Sequence, residues 1–274
     1  MAEPKVLALD FDGVICNSVY EGLYSAWRVY RDIWGGTGDG PPAEVAPTYV
    51  RLRPALEIGW EFPIALRAIL EGIPEESLLQ DFQTKWRSRM LEKHHLSRED
   101  LAARFDAARD TWIQKDLSSW LGCQHLYPGV ADRLKALLKS ETQVFVITTK
   151  ESRYAHLIME KNGVTFPVDR VWGKERERPK TDLLRVLRQE CRVEYGDIWF
   201  VEDRLKTLRS VQQQADLRAV GLFLATWGYT TPAEQTEVAT DARIRPLILE
   251  QFCGEFSAWS GSGSHKAITR GATT

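Results

Sequence analysis

The segment VLALDFDG at residues 6–13 decides the fold. Its first four residues are an apolar run typical of a strand that is buried on both faces, and Gly13 marks a turn directly after it. Asp10 and Asp12 follow the carboxyl end of this predicted strand. In an open parallel sheet, ligands bind in the crevice outside the carboxyl ends of the strands. The segment therefore predicts a first strand that delivers two carboxylates to a binding crevice.

Three similar apolar runs recur in the second half of the chain, at residues 144–147, 198–201 and 219–224. The segments between them have apolar residues at helical spacing, so predicted strands and helices alternate. This alternation is typical of a parallel sheet with right-handed helical crossovers. The predicted fold class is therefore α/β.

The region from residue 17 to residue 125 has a different pattern. Long stretches of helical period cover residues 19–34, 77–95 and 98–121, and we find no convincing buried strand among them. We therefore expect a helical insertion between the first and second strands of the sheet. The small, polar residues at the end of the chain predict a disordered tail. The resulting boundaries are residues 1–16 and 126–259 for the α/β core, 17–125 for the insertion and 260–274 for the tail.

Composition excludes several classes of partner. The 274 residues include 36 Lys and Arg against 38 Asp and Glu, and this balance gives no basic field for a nucleic acid. No apolar stretch approaches the roughly 18 residues of a membrane span, and the first residues do not resemble a signal peptide. The four cysteines are dispersed without metal-ligand spacing, which favours reduced thiols and a cytoplasmic protein. The sequence is compatible with a monomer or a homodimer.

Polar residues stand at the ends of three predicted strands. Asp10 and Asp12 follow the first, Thr148 follows the second, and Glu202 and Asp203 follow a later one. Four carboxylates in one crevice repel each other unless a divalent cation compensates them, and oxygen ligands favour Mg²⁺. An aspartate in such a site can attack phosphorus, and a carboxylate two residues further on can transfer protons. The pattern predicts a magnesium site suited to phosphoryl transfer.

These motifs resemble those of the haloacid dehalogenase-like hydrolase superfamily. DFDGV at residues 10–14 is similar to its first motif, FVITTK at 145–150 to its second and FVED at 200–203 to its fourth. The resemblance implies a Rossmannoid α/β core with an inserted helical C1 cap, as in phosphoglycolate phosphatases and beta-phosphoglucomutases. It also implies that Asp10 is the nucleophile and Asp12 the general acid and base, while Thr148 and Thr149 bind phosphate.

The resemblance further implies how the metal is held. Mg²⁺ would be bound by the carboxylate of Asp10, the backbone carbonyl of Asp12 and the acids Glu202 and Asp203. The third motif of the family is a basic residue before the helix that precedes the acidic strand. Several residues of this chain could fill that position. We favour Lys180, which opens a predicted helix, and keep Lys174 and Arg178 as alternatives.

In this family, an insertion between the first two motifs is a cap that closes over the core and sets specificity. We expect Arg53 or Glu57 to face the crevice, because charged and aromatic residues concentrate there. The predicted function is a magnesium-dependent phosphatase that acts on a small phosphorylated metabolite through an aspartyl-phosphate on Asp10. A phosphomutase of the same superfamily and a non-catalytic, partner-binding relative remain alternatives.

Overall fold

The first predicted strand, β1 (Val6–Leu9), lies inside a parallel sheet in the computed structural model, which describes residues 3–260. The strands that follow along the chain are β2 (Cys16–Asn17), β3 (His125–Leu126), β4 (Gln143–Ile147), β5 (Val171–Trp172), β6 (Ile198–Glu202), β7 (Gly221–Ala225) and β8 (Ile244–Leu247). Six of them form the sheet in the order β5-β4-β1-β6-β7-β8, and every neighbouring pair is parallel. The predicted α/β class is confirmed.

Burial on both faces explains why β1 is a continuous apolar run. All four of its side chains are fully buried. Leu7 and Leu9 pack into the apolar cluster on one face of the sheet, whereas Val6 and Ala8 pack into the cluster on the other. The alternation follows from the two-residue period of a strand. Burial of a large apolar side chain stabilises the fold by about 1.5–3 kcal/mol, so both faces hold β1 in place.

Two strands of the sheet were not predicted, and the predicted bounds of a third were wrong. β5 has only two residues, too few for a periodic signal. β8 reads IRPL, with its two central residues exposed and a proline that suits an edge strand. The run predicted at residues 219–224 was placed too early, because β7 begins at Gly221 and ends at Ala225.

Helices connect the strands of the core and cover both faces of the sheet. The chain between β1 and β4 carries most of the helices. They are α1 (Val19–Trp34), α2 (Val45–Leu52), α3 (Glu61–Leu70), α4 (Glu75–Asp81), α5 (Arg87–His94), α6 (Arg98–Lys115), α7 (Leu117–Gly122) and α8 (Val130–Leu137). The later ones are α9 (Ser152–Lys161), α10 (Lys180–Cys191), α11 (Leu205–Gln212), α12 (Pro232–Ala239) and α13 (Leu249–Cys253).

No helix of residues 3–260 is both long and apolar enough to cross a bilayer.

Helices α1 to α6 surround a third apolar cluster, distinct from the two on the sheet, which also includes Tyr229 of the core. The bounds of α1 are those predicted. The helix expected at residues 77–95 is interrupted by a π-helical turn at Phe82–Trp86, and the one expected at 98–121 is broken at Asp116, whose carboxylate caps α7 through the N–H of Ser119. α2 and α3 were not predicted.

A short antiparallel ribbon of β2 and β3 stands where the helical segment leaves the core and returns to it. Cys16 is paired with Leu126 and Asn17 with His125. The boundaries predicted at residues 16/17 and 125/126 fall within this ribbon, and the division into two domains remains a prediction. Of the predicted tail at 260–274, Ser260 ends a 3-10 helix over Phe256–Ser260, and the rest lies outside the described residues.

Candidate active site

Three buried carboxylates meet at the carboxyl edge of the sheet. Asp10 follows β1, Glu202 ends β6, and Asp203 comes next, with one oxygen from each within 4.8 Å of the others. The strands bring them together because β1 and β6 are parallel neighbours, with Leu9 paired to Val201. The three residues are between 1% and 7% exposed. The sequence placed all three in one crevice, and the structure brings them together there.

Crowding and burial disfavour the charged forms of these acids. Burial, together with the charges of Glu202 and Asp12, raises the pKa of Asp10 to about 7, although Lys180 opposes the shift. Burial and the neighbouring Asp203 likewise raise the pKa of Glu202 to about 7. Burial is also the main cause that raises the pKa of Asp203. The cluster therefore contains too little positive charge to stabilise three ionised carboxylates.

Lys180 is the cation that enters this cluster. Its Nζ atom lies 2.6 Å from Oδ1 of Asp10 and 2.6 Å from Oε2 of Glu202. Burial alone would lower the pKa of Lys180, but the two carboxylates outweigh it and raise the pKa above its usual value. Lys180 is the first residue of α10 and follows Pro179, which suits the start of a helix.

The two alternative basic residues point elsewhere. Lys174 is exposed and pairs with Glu151 at 3.3 Å. Arg178 is also exposed, and it precedes a proline, which keeps its backbone extended outside the helix. Of the three candidates for the third motif, Lys180 is therefore the one that the structure brings to the acids.

The three carboxylates fit a divalent cation. When all three are ionised, the one ammonium group of Lys180 leaves an excess of two negative charges. Oδ1 of Asp203 is buried without a hydrogen-bond partner among residues 3–260, whereas its Oδ2 accepts a hydrogen bond from the backbone N–H of Tyr229 at 2.8 Å. Mg²⁺ binds to oxygen ligands such as carboxylates, and a carboxylate oxygen without a protein donor is available to it. These residues can hold the predicted ion.

Asp12 lies apart from this group of three. Its Oδ1 atom is 3.3 Å from Nζ of Lys150, a side chain that is only 9% exposed. Thr148 is buried, and its hydroxyl accepts a hydrogen bond from the backbone N–H of Lys150 at 3.0 Å. Thr149 is exposed. Lys150 was missed as an individual site residue, although it directly follows the two threonines that were predicted.

Two glycines allow the chain to approach Asp203 closely. Gly13 has φ +96°, and a Cβ atom there would lie 2.1 Å from Oδ2 of Asp203. A Cβ atom on Gly228 would lie 2.3 Å from the carbonyl oxygen of Gly13 and 2.4 Å from Cβ of Asp203. The glycine of the first motif is thus required both by its backbone conformation and by the close approach of Asp203.

Side chains of the helical insertion reach the core next to Asp203. The guanidinium of Arg53 lies 4.0 Å from the ring centroid of Tyr229, and its NH1 donates to the carbonyl of Leu56 at 2.8 Å. Glu57 is exposed and pairs with Lys206 at 2.9 Å. The structure therefore places Arg53 beside Tyr229, whose backbone N–H binds Asp203, whereas Glu57 lies at the surface.

Arg204, which directly follows the acidic pair, also connects the core to the helical insertion. The sequence analysis did not identify it. Its NH1 donates to the carbonyl of Pro54 at 2.7 Å and to that of Tyr229 at 3.1 Å, and its NH2 donates to the carbonyl of Leu56. Two of the three acceptors belong to the insertion. Arg204 therefore joins the insertion to the end of β6.

A buried ion pair lies within the insertion. Arg109 of α6 donates two hydrogen bonds to Glu21 of α1, at 2.8 and 3.1 Å, and Ser25 donates a third at 2.8 Å. Burial alone would raise the pKa of Glu21, but Arg109, Lys150 and Ser25 together lower it to about 2. Glu21 is therefore ionised throughout the neutral range.

The chain is similar to known hydrolases over most of its length. Residues 4–213 match the family model of the haloacid dehalogenase-like hydrolases. No curated protein is significantly similar to the chain in sequence.

Several solved structures share the fold. A predicted phosphatase from Clostridium acetobutylicum has a TM-score of 0.58 at 14% identity, with 92% of this chain and 97% of that chain covered. A haloacid dehalogenase-like family hydrolase from Streptococcus pneumoniae has a TM-score of 0.53 at 14% identity, covering 89% and 94%. A predicted phosphoglycolate phosphatase from Haemophilus somnus has a TM-score of 0.55 at 16% identity, with the same coverage of 89% and 94%. At these identities, the likeness shows the fold alone.

Proposed function

Because this chain belongs to the haloacid dehalogenase-like hydrolases, we propose that it is a magnesium-dependent phosphatase of small phosphorylated metabolites. One observation carries the proposal: Lys180 bridges Asp10 and Glu202 at 2.6 Å beside the unpaired oxygen of Asp203. This arrangement offers a nucleophile, a phosphate-binding cation and ligands for a divalent ion at one edge of the sheet. Names of structural relatives from Clostridium acetobutylicum and Haemophilus somnus agree with phosphatase activity.

In the first step, a carboxylate oxygen of Asp10 attacks the phosphorus atom. The new oxygen–phosphorus bond forms as the bond to the leaving alcohol breaks, which gives an aspartyl-phosphate. Asp12 donates its proton to the departing alkoxide. Lys150, 3.3 Å from Asp12, stabilises the carboxylate that results. Lys180 and the hydroxyl of Thr148 bind oxygens of the transferring group.

In the second step, Asp12 takes a proton from water. The water oxygen bonds to phosphorus, the bond to Asp10 breaks, and inorganic phosphate leaves with both aspartates restored. Asp10, Glu202 and Asp203, with the backbone carbonyl of Asp12, would hold the metal. Bound Mg²⁺ offsets the negative charge of the phosphoryl oxygens.

The helical insertion is proposed to act as the cap that covers this crevice. Arg53, whose charge has no carboxylate within 4.0 Å among residues 3–260, is proposed as its contact to substrate. Within the described chain the cysteines are free thiols, which is compatible with the cytoplasmic location that we propose.

The decisive experiment is release of inorganic phosphate from a panel of small phosphomonoesters, with and without Mg²⁺. The panel should include phosphoglycolate and sugar phosphates. We expect Mg²⁺-dependent release that falls about a thousandfold or more in Asp10→Asn and in Asp12→Asn. Asp132→Asn is the control, because that side chain is 90% exposed. Activity that survives in Asp10→Asn would contradict the proposed nucleophile.

A negative result on this panel would also be informative. Isomerised sugar phosphate without free phosphate would identify a phosphomutase. A stable protein partner, without stabilisation by Mg²⁺, would instead identify a binding protein.

A further inference from the structure

Tyr229 touches both the metal-site acid and the start of the helical insertion. It lies four residues after the end of β7 and is only 6% exposed. Its backbone N–H donates to Oδ2 of Asp203 at 2.8 Å, and its hydroxyl reaches the ribbon from which the insertion departs. The catalytic motifs of the chain do not include this residue.

On the side of the acid, the contact is tightly constrained. Oδ2 of Asp203 faces Tyr229, and Oδ1 is the buried oxygen without a hydrogen-bond partner. The neighbouring Gly228 packs so closely that a Cβ atom there would lie 2.4 Å from Cβ of Asp203. Trp227 holds the same segment through a hydrogen bond to the carbonyl of Val14 at 3.1 Å. A shift of the Asp203 carboxylate would therefore be transmitted to residues 227–229.

On the side of the insertion, the phenol hydroxyl of Tyr229 contacts the residues that connect β2 to α1. It accepts a hydrogen bond from the backbone N–H of Ser18 at 2.8 Å and donates one to Oδ1 of Asn17 at 3.2 Å. Asn17 ends β2, and Ser18 directly precedes α1. These are the residues at which the chain passes from the core into the insertion.

The same residue contacts the insertion at a second place. The guanidinium of Arg53 stacks 4.0 Å from the ring centroid of Tyr229, and Arg204 joins the carbonyl of Tyr229 to that of Pro54. Tyr229 thus contacts the insertion at two places, at Asn17 and Ser18 where it begins, and at Arg53.

We propose that Tyr229 is a positioning residue that couples the carboxylate of Asp203 to the orientation of the insertion. The inference rests on the proposed function, because it takes Asp203 to be a ligand of Mg²⁺. An ion held by Asp203 would restrain its carboxylate, and Tyr229 would transmit that restraint through the hydrogen bond from its backbone N–H to Asp203 and the one between its hydroxyl and the N–H of Ser18. Such coupling works in both directions, so an insertion held in place also favours the metal-binding position of Asp203.

Hydrogen–deuterium exchange on the full chain tests this coupling without an activity assay. We expect Mg²⁺ to slow exchange in residues 16–24 of the wild-type protein by about fivefold. In Tyr229→Phe, Mg²⁺ should still bind, as followed by calorimetry, because the backbone N–H to Asp203 remains. The additional protection of residues 16–24 by Mg²⁺ should be lost.

Tyr49→Phe is the matched control. Its hydroxyl is also buried, but it has no hydrogen-bond partner in the part of the chain that the structure describes, so the substitution removes the same atom without breaking a bond seen there. The effect of Mg²⁺ on exchange should persist in this variant.

Two results would overturn the inference and leave the proposed function intact. One is full Mg²⁺-dependent protection in Tyr229→Phe. The other is exchange that quickens by the same factor with and without Mg²⁺, which would show a purely structural role for the hydroxyl. Failure of the wild-type protein to bind Mg²⁺ would contradict the proposed function, and the coupling with it.

Discussion

The ammonium group of Lys180 lies 2.6 Å from Oδ1 of Asp10, although 170 positions separate the two residues in the sequence. The contact forms because Asp10 follows β1 and Lys180 opens α10, two elements that pack against each other. A single cation therefore stands between the proposed nucleophile and the acid at the end of β6.

Replacing Lys180 should remove most of the activity. In Lys180→Met, the transferring phosphoryl group loses a preorganised cation, and we expect kcat/KM for the best substrate to fall by about a hundredfold or more. Lys174→Met is the control, because Lys174 is exposed and pairs with Glu151 rather than with the buried acids. Equal losses in the two variants would contradict the assignment of Lys180 to the third motif.

Gly13→Ala should disrupt the proposed metal site. A Cβ atom would lie 2.1 Å from Oδ2 of Asp203, and φ is +96°, so the acid has to move. We expect the free energy of unfolding to fall by about 2–4 kcal/mol and the affinity for Mg²⁺ to fall with it.

Gly72→Ala separates the effect of backbone strain from the effect of the contact with Asp203. Gly72 has φ +75° but nothing within 4 Å of its added Cβ atom, so only the backbone strain remains. Its loss of stability should be about 1 kcal/mol, and its affinity for Mg²⁺ should equal that of the wild-type protein. A comparable loss of Mg²⁺ affinity in both variants would count against the contact with Asp203.

Arg53→Ala should affect substrate binding more than the chemical step. The guanidinium stacks 4.0 Å from the ring centroid of Tyr229, whose backbone N–H binds Asp203, and Arg53 is the residue that we propose as the contact to substrate. We expect KM for the preferred substrate to rise by about tenfold, with a smaller change in kcat. Arg51→Ala is the control, since Arg51 pairs with Glu75 on the surface. An unchanged substrate profile in Arg53→Ala would refute the contact.

Acid should destabilise the protein partly through Glu21. The folded-state pKa of this carboxyl is about 2, below its ordinary value of 4.5, so its contribution is complete above pH 4.5 and is lost as the pH falls toward 2. The shift corresponds to about 3 kcal/mol.

Urea unfolding of Glu21→Gln measures this contribution. The variant should be less stable than the wild-type protein at pH 7, and the difference should shrink between pH 4.5 and pH 2. Glu75→Gln, which breaks an exposed pair, should change stability by less than about 1 kcal/mol. A difference for Glu21→Gln that is independent of pH would contradict the ion pair as its cause.

The sequence predicts best those features that depend on local pattern. The apolar run of β1 and the acids after it define both a buried strand and the edge at which Asp10 lies, because parallel strands share one carboxyl edge. Lys180 could be favoured from its position in the sequence, since it opens a predicted helix 23 residues before Asp203.

The features that were missed depend on packing between distant segments. Lys150 and Arg204 each directly follow a predicted motif, so their position at a strand end was a usable signal. Tyr229 also follows a strand, β7, after a short turn. Its role depends on contacts with Asp203, Asn17 and Ser18, and no local pattern encodes them.

The ribbon of β2 and β3 has a consequence for how the chain folds. β1 is made first, but both of its neighbours in the sheet, β4 and β6, lie beyond the whole helical segment. Such distant pairings are slow, because closing a long loop costs entropy before any contact repays it. The helical segment has its own apolar cluster, and its two ends meet at the ribbon. If it condenses first, the ends of β1 and β4 are brought together, and the loop that remains to be closed becomes short.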